Sequence, residues 1–116
     1  MTATRDATLV QLRKGVLQFC VLACLRKEPS YGLAIASELS RRRNLFESEG
    51  TLYPLLSRLR KQGLVETTWR DSTAGPPRRY YSLTPAGHEA LTEFAATWQP
   101  FSHEVTEMMG QAHGTR

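Results

Sequence analysis

The chain has 116 residues, 41% of them hydrophobic and 22% charged, and a formal charge of +4. That is one domain's worth of chain with enough apolar content for a core, which excludes intrinsic disorder and leaves no room for two independent cores. The charge is uneven: residues 1–83 hold 14 Lys and Arg against 7 Asp and Glu, and residues 84–116 hold 1 against 4, so a polyanion would meet the front and leave the tail for another task.

The first apolar stretch predicts one helix from Leu9 to about Lys27. Its middle (Val16, Leu17, Phe19, Cys20, Val21, Leu22, Leu25) is apolar on most of its circumference, so it should be buried on two sides. The run is far short of the roughly 20 residues a membrane span needs, which argues against a membrane partner. Cys20 and Cys24, four apart, have packing spacing and not disulfide geometry. Two such thiols without a secretory leader lead us to expect a cytoplasmic setting. Pro29 stops this helix, and Ser30 is placed to cap the next one.

A second helix is expected from Tyr31 to about Arg42, with Leu33, Ile35, Ala36 and Leu39 inward and Arg41-Arg42-Arg43 as a solvated C-terminal turn. Ser48 opens a third helix that Gly63 ends. On a wheel of about 100° per residue, Leu52, Leu55, Leu56 and Leu59 form one core stripe. The opposite side carries Gly50, Pro54, Ser57 and Lys61, with Thr51, Tyr53 and Arg58 at its shoulders. That face is small at its start and basic at its end, which suits close approach to a DNA groove with cations reaching phosphates. Pro54 cannot donate to the Gly50 carbonyl, a loss more easily borne on a groove-facing surface than in a core.

Two β-rich runs follow, Leu64 to Asp71 and Arg78 to Leu83, joined through the turn-rich Ser72–Pro77. Arg78 and Arg79 leave a stiff Gly75-Pro76-Pro77 turn and are placed for phosphate or minor-groove contact. Tyr81 and Trp69 read as packing residues. Thr84-Pro85 then caps a last helix reaching about Gly110. Within it Leu91, Phe94, Trp98, Phe101, Val105 and Met108 are spaced 3, 4, 3, 4, 3, a heptad seam that wants a partner helix. Pro100 lies off the seam, and the pattern leaves open whether it kinks or breaks the helix.

The fold class is therefore mainly α with a small β-hairpin: a winged helix-turn-helix over residues 1–84, and a long C-terminal dimerisation helix with its tail over residues 85–116. The residues that sharpen this are Leu12-Arg13-Lys14-Gly15, Tyr31-Gly32, the run Ser48 to Pro54, Arg58-Leu59, Gly63-Leu64, Gly75 to Thr84, and Gly87. Together they resemble the PadR family of bacterial transcriptional regulators, over nearly the whole chain from Leu12. The resemblance implies a homodimer on palindromic promoter DNA, usually a repressor relieved by a small molecule. It also implies a recognition-helix role for Ser48–Lys61 and a wing role for Gly75–Tyr80. The expected contacts with double-stranded DNA are thus Tyr31, Ser48, Glu49, Gly50, Thr51, Tyr53, Pro54, Ser57, Arg58, Lys61, Pro76, Arg78 and Arg79.

Family members that sense drugs resemble this chain at Trp98, which implies a possible pocket for a small aromatic effector formed by Phe19, Phe94, Trp98 and Phe101. Read from spacing alone, those aromatics are foremost dimer core. His88, His103 and His113 lack metal-ligand spacing, no phosphate loop or nucleophile motif is present, and no cofactor or metal is expected. The rival reading, a winged-helix adaptor for protein partners without DNA function, fits the basic front half less well.

Overall fold

The computed structural model describes residues 2–46 and 48–113. Its elements in chain order are α1 (Thr2–Arg13), α2 (Leu17–Cys24), β1 (Ser30–Tyr31), α3 (Gly32–Ser40), a 3₁₀ turn (Glu49–Thr51), α4 (Leu52–Lys61), β2 (Val65–Ser72), β3 (Gly75–Leu83) and α5 (Pro85–His113).

The single helix expected over Leu9–Lys27 is two helices. Gly15 takes a φ of +78°, the left-handed region that ends an α-helix and favours glycine, and α1 and α2 meet at a 64° bend. The two-sided apolar stretch is α2. Val21 and Leu22 are fully buried, Phe19, Cys20 and Cys24 are half-buried against the core, and the helix packs on α3 and on α5. No single helix among the described residues is long and apolar enough to cross a membrane.

Ser30 does not cap α3. It pairs with Tyr81 in a short antiparallel strand, and Tyr31, extended at φ −120° and ψ 165°, is the N-cap residue. Ile35, Ala36 and Leu39 are buried with Gly32, whereas Leu33 is 59% exposed. At about 100° per residue Leu33 falls about 60° outside the edge of that stripe. Glu38 draws Arg41 (3.6 Å) and Arg42 (3.1 Å) back along their own helix.

Helix α4 begins at Leu52 rather than Ser48. Without an N–H on Pro54, the Gly50 carbonyl has no α-type partner, and the chain enters through the 3₁₀ turn instead. Pro54 is thus the third residue of α4, within the first turn, where the backbone N–H groups have no intrahelical acceptor anyway. Its missing donor costs little there, so it is not by itself a sign of a groove-facing surface. Leu52, Leu55, Leu56 and Leu59 all lie in the core, and Gly63 closes the segment at φ +78°.

The sheet order is β1-β3-β2. The hairpin turn is shorter than the six residues expected, because β2 runs to Ser72 and β3 starts at Gly75. Asp71 faces both Pro76 and Pro77 at a register shift. Two prolines fit a strand at such a bulge, where the ladder already lacks a bond.

Thr84 fixes the start of α5. Its hydroxyl accepts from the Gly87 N–H at 3.0 Å and donates to the Gly63 carbonyl at 2.6 Å, tying α5 to the end of the α4 segment. From there α5 passes unbroken through Pro100. At 29 residues it is about 43 Å long.

Candidate nucleic-acid interface

The four buried leucines of α4 determine what its other side presents. Ser48, Glu49, Gly50, Thr51, Tyr53, Pro54, Ser57, Arg58 and Lys61 are all exposed on one flank, and Arg60 joins them. Arg58, Arg60 and Lys61 occupy the last turn, where the negative end of the helix dipole holds cations. Among the described residues none of the three has an acidic partner.

Tyr53 is held from below. A Cβ on Gly32 would come within 2.5 Å of the Tyr53 hydroxyl and 2.6 Å of its ring, so the ring lies directly over the Gly32 backbone. The absence of a side chain on Gly32 leaves the space this ring occupies. Beside it, the Tyr31 ring sits 5.2 Å from that of Tyr80 and under the guanidinium of Arg78 at 4.3 Å.

The wing's two consecutive arginines part company. Side chains alternate along a strand, so Arg78 joins Tyr31 and Tyr80 on the outer face. Arg79 turns to the inner face, where it lies 5.4 Å over Trp69 and its Nε is buried without a hydrogen-bond partner. Pro76 is exposed at the tip.

Sequence reasoning missed three basic neighbours of this surface. Lys14, at the α1–α2 corner, lines with Ser48, Gly50, Thr51 and Arg58 a groove of about 520 Å³ against the start of α4. Arg13 borders the same groove and donates to the carbonyls of Asn44 at 3.0 Å and Arg43 at 3.1 Å, pinning the loop before the 3₁₀ turn. Arg70 pairs in register with Arg78. Only Arg70 carried a usable signal, being one alternation step from Thr68 and two from Glu66 on the same face of β2.

Aromatic residues of α5 form a contiguous row. Phe19 stacks on Phe94 at 4.3 Å, Phe94 on Trp98 at 5.8 Å, and Trp98 meets Phe101 at 6.2 Å. Leu91 is buried in the chain's own core. Trp98 and Phe101 open instead onto a mostly apolar cleft of about 600 Å³ between α5 and α1, bordered by Leu9, Leu12, Val16 and Val105. Among the described residues no three His, Cys, Asp or Glu side chains gather as a metal site; the side chain of His113 lies outside those residues.

A helix with its leucines buried and a basic flank exposed, preceded by a shorter helix and followed by an arginine-bearing hairpin, defines a winged-helix DNA-binding protein. The comparisons with known proteins agree. The sequence family described as "Transcriptional regulator PadR-like family" matches residues 21–93. Transcriptional regulator Rv3488 of Mycobacterium tuberculosis is 41% identical over 103 residues, covering 89% of this chain and 92% of the relative. A PadR-like transcriptional regulator from Bacillus cereus superposes with a TM-score of 0.76 at 39% identity, over 85% of this chain and 96% of its own. A PadR-family regulator from Eggerthella lenta gives 0.77 at 34%, over 94% and 97%. The chain belongs to the PadR-like family of transcriptional regulators: it is a DNA-binding regulator and not an enzyme.

Proposed function

We propose that this regulator acts in the cytoplasm as a homodimeric repressor on a palindromic promoter site. Residues 1–84 would hold DNA and residues 85–116 would join the subunits. Two α4 helices would occupy successive major grooves, about 34–36 Å apart on one face of the duplex. Ser48, Thr51, Tyr53 and Ser57 contact bases or the groove wall, while Arg58, Lys61 and Arg78 of the wing grip phosphates; Arg79, turned to the inner face, is not among them. The observation that carries this reading is the split of α4 into a buried leucine stripe and an exposed flank ending in cations that have no acidic partner among the described residues.

The dimer reading rests on apolar surface that the single chain leaves uncovered. Leu91 and Phe94 are taken up by contacts within the chain, but Trp98, Phe101, Val105 and Met108 are 39–65% exposed, near the exposed Leu12 of α1. A continuous stripe of this kind marks an interaction surface, and a second α5 would cover it. A small planar effector is favoured by the apolar cleft that Trp98 and Phe101 border. Its entry would alter the seam and thereby the spacing of the two reading helices. Loss of Trp fluorescence on titration with planar aromatic compounds, absent in Trp98→Ala, is the check on that step.

Fluorescence anisotropy with the DNA upstream of the protein's own gene, at two salt concentrations, tests the main reading. Arg58→Ala should weaken binding across sequences and reduce the salt slope by about one unit per subunit, about two for the bound dimer. Salt-independent or absent binding of the wild-type protein would return the field to the adaptor reading.

A further inference from the structure

Two arginines on the outer face of the wing stand directly opposite each other. Arg70 of β2 and Arg78 of β3 are partners in the ladder, a position in which Cβ atoms lie about 4.5–5.5 Å apart and like charges destabilise the sheet. Among the described residues neither has an acidic partner. Each has an aromatic ring instead. The Arg70 guanidinium carbon lies 4.2 Å from the centre of the Tyr80 ring, that of Arg78 4.3 Å from the centre of Tyr31, and the two rings touch each other. A ring face attracts a guanidinium and fixes its plane, yet it takes up none of the N–H donors around the edge. Both forks are therefore held in place with their charge unneutralised. Such a pair is poised for a shared anion.

We propose that Arg70 and Arg78 form one clamp for a single DNA backbone phosphate, with Tyr80 and Tyr31 as the positioning residues that hold it open. The proposal rests on the reading that α4 and the wing face the duplex, and it adds a partner for Arg78 and a reason for both tyrosines. The chain path between the clamp and the exposed flank of α4 is short: Tyr53 of α4 lies over Gly32, and the preceding residue, Tyr31, lies under Arg78. Arg79, over Trp69 on the opposite face, takes no part. A phosphodiester between the two forks would relieve their repulsion and accept hydrogen bonds on both of its free oxygens.

The test is anisotropy with a fluorescein-labelled duplex of random sequence across about 50 to 200 mM NaCl. Both arginines are on the wing surface, so Arg70→Ala should fold normally and bind more weakly than wild type. In the Arg70→Ala/Arg78→Ala double variant, the slope of log affinity against log salt should fall by about two units for the bound dimer, the signature of one lost phosphate in each subunit. A fall of about four units would mean two separate phosphates in each subunit, and no fall would mean none; either overturns the clamp. Tyr80→Phe should bind as wild type, whereas Tyr80→Leu, with all charges kept, should bind more weakly at an unchanged slope. Equal binding by Tyr80→Leu would overturn the positioning role. If wild type and Arg58→Ala behave as expected and only the Arg70 variants are silent, the clamp alone fails. If wild type shows no salt-dependent binding, the DNA-facing reading fails with it.

Discussion

Gly32 shows how one missing side chain serves two elements at once. A methyl group there would meet the far end of Tyr53, a half-exposed side chain free to swing away. Gly32→Ala should therefore cost little stability, while displacing the tyrosine proposed to reach DNA from α4. The expected result is a urea midpoint near wild type with clearly weaker binding in the same anisotropy assay; unchanged affinity would remove Tyr53 from the interface. Cys24 offers a separate, pH-dependent observable. Burial, reinforced by Glu38 and Cys20 and opposed by Arg42, pushes its thiol up from 9.0 to about 11. The folded state keeps this proton where an unfolded thiol has lost it, so its effect on stability is nil below about pH 9 and turns unfavourable as pH climbs toward 11. Cys24→Ala should thus lose less stability than wild type between about pH 9 and 11, read from urea midpoints. An identical loss in both proteins would show that the thiol is not buried as described.

At the scale of elements, the joint between α4, β2 and α5 is the most constrained point. Thr84 bonds both Gly63 and Gly87, and its own N–H donates to the Leu64 carbonyl at 3.1 Å. A Cβ on Gly87 would fall on that same carbonyl oxygen, which is backbone and cannot swing aside. Glycine to alanine inside a helix ordinarily gains about 1 kcal/mol. Here overpacking, typically about 1–3 kcal/mol, should win. Gly87→Ala is expected to lower the urea midpoint, and a stabilised variant would contradict the close approach of α5 to Leu64. The bend at Gly15 and the bulge opposite Asp71 belong to the same scale. Each is a place where a periodic pattern continued in sequence while the backbone turned.

For the whole molecule, the long α5 leaves the body of the chain carrying its apolar side outward beyond Phe94. Phe101→Glu and Val105→Glu put charge on that stripe without touching the core. Sedimentation velocity should show each variant shifted toward monomer, with DNA affinity reduced because two half-sites are no longer bound together. A wild-type protein that sediments as a monomer at micromolar concentration would refute the dimer.

The elements whose residues face their own neighbours in the chain were legible from sequence alone. The leucine stripe of α4, the Gly63 stop and the Thr84 cap all express a local rule: a helical period, a left-handed glycine, a hydroxyl three residues from an N–H. Local rules require no knowledge of the rest of the fold. What the tertiary structure decided was every relation between distant segments: that β1 recruits Ser30 and Tyr31 into the sheet, that Arg13 pins the loop before α4, and that Arg70 meets Arg78 while Arg79 faces away. The reason is that strand register and helix docking depend on which faces meet, and a linear pattern names the faces without saying which other face each will find.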